Sequence, residues 1–262
     1  MPDLVKLFEP RNLIAFMLVL TRLTGLFASA PFFSTFRVPN QIKLLFAAFV
    51  AFIMFPLLSA KSGFILPKTV PQLSIFIIIE FGVGYLIGFL ANLVFDGIKM
   101  AGNIISIQMA ISMADILDPS TNERNPVIST TYNYMGILVF FAIGAHIWLF
   151  EALYLSFNSI PIGTSAFLTA DLVNNIAQMI SSIFHIAFAL IMPIFAVLLV
   201  SDLLLGLMAK MMPQMNIFMV ALPIKVGMGF GLMLLFVAPT ITYLAYTIEK
   251  YMSGILKLIM GG

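Results

Sequence analysis

Cysteine is absent from this chain of 262 residues, and charged residues make up only 9% of it. The lack of cysteine excludes disulfides, thiolate nucleophiles, iron–sulfur clusters and cysteine-ligated zinc. Soluble domains carry about 25% charged residues. The low charge content, together with 61% hydrophobic residues, therefore indicates a membrane protein. A single tryptophan stands against 26 phenylalanines, so no tryptophan belt marks the membrane interfaces.

Two further classes of function find no support in the residues. The formal net charge is only +2, and no cluster of basic residues is present that would neutralise a phosphate backbone, so we expect no nucleic acid partner. The chain also has no P-loop, no H-E-x-x-H zinc motif and no G-x-S-x-G nucleophile turn. We therefore predict that the protein is not an enzyme and that it needs no cofactor or metal.

Long apolar stretches predict an all-α protein built from helices of membrane length, which requires about 20 apolar residues each. Six such blocks can be marked, at residues 12–33, 42–58, 73–95, 127–150, 176–209 and 217–248. The last two blocks contain Pro193 and Pro239 and are expected to be long and kinked. Glycine spacing predicts close helix contacts at two places, Gly84 with Gly88 and Gly227 with Gly231, with Gly229 between the latter two. Such small residues also suit packing against other subunits.

Basic residues outside the blocks do not orient them across a bilayer. One side would hold six of them, Lys6, Arg11, Lys61, Lys68, Lys250 and Lys257, and the other side five, Arg37, Lys43, Lys99, Arg124 and Lys210. This division gives no positive-inside signal. Either the spans are wrong, or these helices do not cross a bilayer in the simple way that hydropathy implies.

Four charged residues lie inside the apolar blocks, namely Arg22, Glu80, Asp202 and Lys225. A charge at the centre of a lone membrane helix costs about 2.5–3.5 kcal/mol on insertion scales. We therefore expect these side chains to face protein, where they pair with each other or with partner chains, or to line a wet lumen.

Asp202 and Lys225 lie at equal distances from a polar break that predicts a helical-hairpin turn. The turn consists of Pro213, Gln214, Met215 and Asn216. Because antiparallel helices rise about 1.5 Å per residue, this symmetry brings residues 202 and 225 to the same level. An ion pair across the hairpin is one hypothesis, and contact of each residue with a partner chain is the other.

The segment at residues 104–126 differs from the apolar blocks on both sides of it. Gln108, Met109 and Met113 alternate with small residues, and Asp118-Pro119 is a turn signal. On residue types alone, the simplest interpretation is an ordinary loop after an amphipathic helix. Methionine is unbranched and repacks readily, however, so the segment also suits a surface that must seal and then yield.

Four local patterns occur in a fixed order along the chain. They are RLTGLFASAPFF at residues 22–33, GNIISIQMAISMA at 102–114, SFNSIPIG at 156–163 and PQMNIF at 213–218. Together they resemble the FliR family, the R subunit of the export gate in bacterial flagella, whose relatives serve virulence type III secretion. The resemblance covers essentially the whole chain. One departure is Ala110, where the family commonly has glycine.

The resemblance implies helical hairpins in a hetero-oligomeric export gate associated with the membrane. Residues 1–175 would form a P-like part that includes the plug, and residues 176–262 a Q-like long helical hairpin. The implied partners are P-type and Q-type gate subunits, the A-type and B-type membrane proteins of the export apparatus, membrane lipid and unfolded export substrates. The implied location is the bacterial inner membrane, in the flagellar basal body. Hydrophobic faces that bind neighbouring subunits would then explain the failed count of basic residues.

The resemblance also assigns the plug of the export pore to the segment at residues 104–126. By motif position the plug residues are Ile107, Gln108, Met109, Ile111 and Met113, with the adjoining turn at Asp118 and Pro119. Soft apolar side chains at residues 106–117 would close a narrow channel, yield to an unfolded substrate and reseal. The four charged residues inside the blocks would serve assembly.

Two other functions remain open from the residues. An ion-coupled secondary transporter would use Glu80, Asp202 and Lys225 for coupling, although neither related halves nor a substrate site is visible in the chain. A purely structural membrane scaffold would tolerate loss of residues 104–126 without loss of transport.

Overall fold

The structure, a computed structural model, describes residues 10–36, 38–59, 66–111, 127–163, 170–214 and 216–260. All regular secondary structure in these ranges is helical, and no strand occurs in them. The predicted all-α class is therefore confirmed. Numbered in order through these ranges, the helices are α1 Pro10–Ser29, α2 Pro31–Thr35, α3 Asn40–Ser59, α4 Val70–Gln108, α5 Val127–Ala142, α6 Ala145–Ser159, α7 Ala170–Met211, α8 Ile217–Leu235 and α9 Val237–Met260.

Several helices are long and apolar enough to cross a membrane. Four single helices meet this condition within the described ranges: Arg11–Ser29, Asn40–Leu58, Val70–Gln108 and Val173–Met211. Two bent pairs, α5 with α6 and α8 with α9, raise the number to six if each pair is one span. The chain is therefore a helical membrane protein, as its composition predicted.

Four of the predicted apolar blocks are divided or extended in the structure. The block at 12–33 is two helices, α1 and α2. The block at 73–95 is part of α4, which has 39 residues and continues to Gln108. The block at 127–150 is two helices, because Gly144 adopts a left-handed φ of 72° between them. The block at 217–248 bends by 61° at Phe236, and Pro239 lies in the first turn of α9, where proline is tolerated. Pro193, by contrast, lies inside the undivided α7.

The chain forms two compact units, each built from separate stretches. Unit 1 comprises Met1–Leu93, Gly144–Ile180 and Glu249–Gly262, and unit 2 comprises Val94–Ile143 and Ser181–Ile248. These units follow spatial compactness, whereas the predicted boundary at residue 175 follows the resemblance. The division into a P-like and a Q-like part stays a prediction.

Direct backbone contact between α1 and α4 forms the centre of unit 1. Gly84 and Gly88 lie against the backbone of α1, where an added Cβ would overlap carbonyl oxygens of that helix, and Gly25 lies equally close to α4. The hydroxyl of Ser29 donates to the carbonyl of Tyr85 at 2.8 Å across this contact. The close approach predicted from the spacing of Gly84 and Gly88 is confirmed.

Unit 2 brings the C-terminal part of α4 against α5 and α7. An added Cβ on Gly102 would lie 2.5 Å from Cα of Ser129 on α5, and one on Gly97 would lie 3.3 Å from the side chain of Ile186 on α7. Phe95 and Phe140 pack edge to face with ring centroids 5.6 Å apart. These contacts fix the direction in which α4 presents its last residue.

Candidate functional site

A buried ion pair joins α1 to α4 in unit 1. Arg22 Nε donates to Glu80 Oε2 at 2.6 Å, and the side chains are 0% and 1% exposed. The ring of Phe157 on α6 lies 4.2 Å from Arg22 Cζ, which adds a cation–π contact. Two of the four charges predicted to face protein therefore neutralise each other inside the chain.

The remaining hydrogen-bonding groups of this pair hold the turn that follows α6. Arg22 Nη1 donates to Ser156 Oγ at 3.1 Å, and Nη2 donates to the carbonyl of Ile160 at 3.0 Å. The second oxygen of Glu80 accepts from the backbone N–H of Gly163 at 3.3 Å. Because both charged groups are fully engaged in fastening this turn, the arrangement is structural. It offers no open carboxylate for ion transport.

The other two charges form the ion pair predicted across the helical hairpin. Lys225 Nζ on α8 lies 2.5 Å from Asp202 Oδ1 on α7, and the two side chains are 15% and 40% exposed. The pair forms because the turn between the helices lies at equal distances from both residues. The hypothesis of an intrachain pair is confirmed, and neither residue requires a partner chain to neutralise it.

Asp202 also binds the first residues of the predicted plug. Gln108, the last residue of α4, donates from Nε2 to Asp202 Oδ2 at 2.8 Å. One carboxylate therefore accepts from Gln108 on one oxygen and from Lys225 on the other. The structure thus brings a predicted plug residue together with two of the predicted charged residues, a contact that the sequence did not suggest.

Met109 packs onto the same hairpin. Its side chain is fully buried, and an added Cβ on Gly229 of α8 would lie 2.5 Å from both Cγ and Cε of Met109. Added Cβ atoms on Gly227 and Gly231 would meet nothing within 4 Å. Within the chain the close contact is therefore made by Gly229, between these two glycines, and contact of Gly227 and Gly231 with other subunits stays a prediction.

The chain leaves α4 through a Schellman motif with alanine in the left-handed position. Ala110 has φ 59°, the one positive φ of a non-glycine residue in the described ranges. Its N–H bonds to the carbonyl of Ile107 at 2.9 Å, and the N–H of Ile111 bonds to the carbonyl of Ser106 at 3.1 Å. This pair of bonds defines the motif, which normally places glycine where Ala110 lies. The side chain of Ile107 is 65% exposed beside it.

The other predicted site residues are placed as follows. Pro213, Gln214 and Asn216 are exposed at the hairpin turn, where Asn216 immediately precedes α8. Ile111 is half-buried at the end of the described part of the plug segment. Met113, Asp118, Pro119 and Met215 lie outside the described residues. The plug role of the segment stays a prediction, while the attachment of its first residues is an observed contact.

These features define a class of protein before any comparison. The chain is a membrane protein of long apolar helices, with its internal charges paired and a polar helix end fastened to a helical hairpin. Comparison with known proteins identifies the particular family. Residues 13–251 match the family described as bacterial export proteins, family 1. The chain belongs to this family, and the resemblance stated from its four patterns is confirmed.

Curated relatives cover most of the chain. It is 31% identical over 218 residues to the flagellar biosynthetic protein FliR of Bacillus subtilis (strain 168), which covers 82% of this chain and 83% of that protein. It is 30% identical over 218 residues to FliR of Escherichia coli (strain K12), covering 82% and 80%. FliR of Aquifex aeolicus (strain VF5) is 25% identical over 232 residues, covering 88% of each chain.

Proposed function

We propose that this protein is a core subunit of the export gate in the bacterial inner membrane, where it forms and closes the channel for unfolded flagellar proteins. The chain is a subunit of the flagellar type III export apparatus, as its family and its FliR relatives establish. The proposal adds the location of the gate and the part of the chain that closes it, which is the segment at residues 104–126. No catalytic step is assigned to the protein.

The attachment of Gln108 and Met109 to the hairpin is the observation that carries the proposal. A segment that seals a pore must have a fixed origin, since a freely moving loop would leave gaps for ions. The hydrogen bond from Gln108 to Asp202 and the packing of Met109 against Gly229 provide this origin. The exposed Ile107 and the half-buried Ile111 flank it with apolar surface.

The proposed mechanism is a passive seal. Apolar side chains of the segment exclude water and ions from a narrow channel when no substrate is present. An unfolded substrate displaces them, and they return because an unbranched thioether such as Met113 changes rotamer at little cost. Export then requires no chemistry from this chain, and the energy for transport comes from other parts of the apparatus.

Exposed apolar surface supports association with other gate proteins. Several large apolar side chains in the later part of α7 are not covered by the rest of the chain that the structure describes: Leu203, Leu204, Leu207, Met208 and Met211. An apolar surface of this extent marks a protein or membrane contact. We propose P-type and Q-type gate subunits as the direct partners, with the A-type and B-type membrane proteins further out. Co-purification of the chain with two smaller membrane proteins tests this part.

Deletion of residues 111–117 tests the sealing role directly. Cells that express the complete export apparatus with this deletion should assemble the complex and become permeable to small solutes, because the sealing side chains are lost. The double substitution of Met109→Ala and Met113→Ala should cause a smaller leak of the same kind. If the deleted complex assembles and conducts no more ions than the parent, the sealing role is wrong.

The ion-coupled transporter is not favoured. Its proposed coupling residues are already engaged, since Glu80 binds Arg22 and the N–H of Gly163 while Asp202 binds Lys225 and Gln108. Glu80 is 1% exposed and both of its oxygens accept hydrogen bonds, so it lacks the access to water that an ion-exchanging carboxylate needs. Purification separates the two functions, because a transporter should be stable alone and a gate subunit should depend on its partners.

A further inference from the structure

We propose that Asp202 is a positioning residue of the plug, which latches the end of α4 to the hairpin through Gln108 and remains neutralised when the plug opens. This inference rests on the proposed sealing role of the segment that follows Gln108. Its site consists of described residues, and it joins Gln108 to the pair of Asp202 and Lys225, a connection that spacing along the chain does not suggest.

The two bonds to Asp202 differ in strength, and this difference makes the contact releasable. Lys225 and Asp202 form a charged pair within the hairpin, and the side chain of Lys225 is only 15% exposed. Gln108 contributes a neutral amide from a separate helix. The contact with Gln108 has one ionised partner and the contact with Lys225 has two, and Gln108 lies on a separate helix whereas Lys225 belongs to the same hairpin, so we expect the Gln108 bond to break first.

Release of Gln108 therefore leaves Asp202 with a charged partner. When Gln108 leaves, Oδ2 of Asp202 loses one donor but Oδ1 keeps the ammonium of Lys225. The side chain of Asp202 is 40% exposed, so water also reaches the carboxylate when Gln108 is absent. Lys225 thus keeps the acceptor charged and in place, ready for Gln108 to return.

The packing of Met109 fixes where the end of α4 attaches along the hairpin. Lys225 and Gly229 are four residues apart on α8 and therefore share one face of that helix. The adjacent residues Gln108 and Met109 contact the same region, one through the carboxylate beside Lys225 and the other at Gly229. A polar contact and an apolar contact thus fix the same end of α4, and a shift of α4 along the hairpin breaks both.

An exchange of acid and amide tests the latch. Gln108→Glu places a second carboxylate against Asp202 without changing size, so we expect the complete export apparatus in cells to conduct ions several-fold more than the parent, at an equal amount of complex. In the double variant Gln108→Glu with Asp202→Asn, the new glutamate accepts from the new asparagine and lies near Lys225. Conductance should return to within about twofold of the parent, a rescue that a general packing defect would not produce.

Two additional variants complete the test. Gln178→Glu changes an exposed glutamine on α7 and should leave conductance unchanged, which controls for the added charge. Gln108→Met removes the donor without adding charge and should cause a smaller leak than Gln108→Glu. If Gln108→Glu prevents assembly, conductance of the Gln108→Met complex decides: a leak supports the latch, and parental conductance overturns it.

The deletion of residues 111–117, measured beside these variants, separates the two proposals. A leak with the deletion but parental conductance with Gln108→Glu overturns the latch and leaves the sealing role intact. Parental conductance with both overturns the sealing role and the latch with it. If Gln108→Glu causes a leak that the double variant does not reduce, the leak does not arise from the contact between residues 108 and 202, and the latch is overturned.

Discussion

Arg22 and Glu80 lie 58 residues apart in the sequence, and their side chains meet at 2.6 Å with almost no exposure to solvent. Removal of one partner leaves the other charge buried and unpaired. We expect Arg22→Ala to reduce the free energy of unfolding by about 3–5 kcal/mol. Thermal unfolding of the purified complex in detergent should give a lower Tm, and purification should give less complex than the parent.

A partly exposed ion pair on α4, the helix that carries Glu80, serves as a control for the buried pair. Lys99 and Asp96 form an ion pair at 3.3 Å, but their side chains are 33% and 43% exposed. Because water screens exposed pairs, Lys99→Ala should change the free energy of unfolding by no more than about 1 kcal/mol. Equal losses for Arg22→Ala and Lys99→Ala would contradict the structural role of the buried pair.

Gly84→Ala should disrupt unit 1 far more than Gly82→Ala. The Cβ added at Gly84 would overlap the backbone of Arg22, which cannot move aside as a side chain can. The Cβ added at Gly82 meets nothing within 4 Å, so this second substitution should stabilise the helix by about 0.5–1 kcal/mol. We therefore expect a lower Tm for Gly84→Ala and a slightly higher Tm for Gly82→Ala, although both add one methyl group to α4. A similar effect of both would show that α1 and α4 do not approach as described.

Ala110→Gly should stabilise the end of α4 although glycine normally weakens helices. The left-handed φ of Ala110 is unfavourable for a residue with a Cβ by about 1–2 kcal/mol, and glycine removes that strain. Ala221→Gly, inside α8, serves as the control and should destabilise by about 1 kcal/mol. Thermal unfolding of the two variants should shift in opposite directions, and a loss of stability in both would contradict the left-handed geometry.

Gly229→Ala should loosen the plug while Gly227→Ala leaves it in place. The added methyl at residue 229 occupies the space of Met109, whose side chain must leave the surface of α8. We expect increased ion conductance of the assembled apparatus with Gly229→Ala and parental conductance with Gly227→Ala. Met109→Ala removes a sealing side chain but vacates this space, so Gly229→Ala should add no further conductance in the Met109→Ala background. An added leak there would indicate that residue 229 acts through another contact.

Contacts that follow from local spacing could be predicted from the sequence. Equal distance from the turn and the constant rise per residue predicted that Asp202 and Lys225 lie at the same level, although the choice between an intrachain pair and a partner chain stayed open until the structure showed the pair. The close approach of another helix at Gly84 likewise follows from the spacing of small residues on one helix face, whereas the identity of that helix, α1, does not. The family resemblance, carried by four short patterns, was confirmed by similarity over most of the chain.

Contacts that depend on tertiary arrangement could not be predicted. Gln108 and Asp202 are separated by 94 residues, and no periodicity relates the end of α4 to the hairpin. The choice of Gly229 over its neighbouring glycines depends on the rotation of α8, which spacing does not determine. The break at Gly144 was missed because a left-handed glycine inside an apolar run leaves hydropathy unchanged. The available signal for the contact of Gln108 with Asp202 was the presence of two polar side chains in otherwise apolar helices, which are expected to find polar partners.

The 39 residues of α4 have a further consequence for the environment of the chain. At about 1.5 Å per residue the helix is about 58 Å long, nearly twice the hydrocarbon thickness of a bilayer, about 30 Å. Tilting of a helix by the usual 20° shortens its projection only slightly. Part of this apolar helix therefore lies beyond the hydrocarbon, where protein must shield it from water. Helices α1, α5 and α7 of this chain cover some of its faces, and we expect neighbouring subunits to cover its exposed side chains Ile75, Ile78 and Phe81.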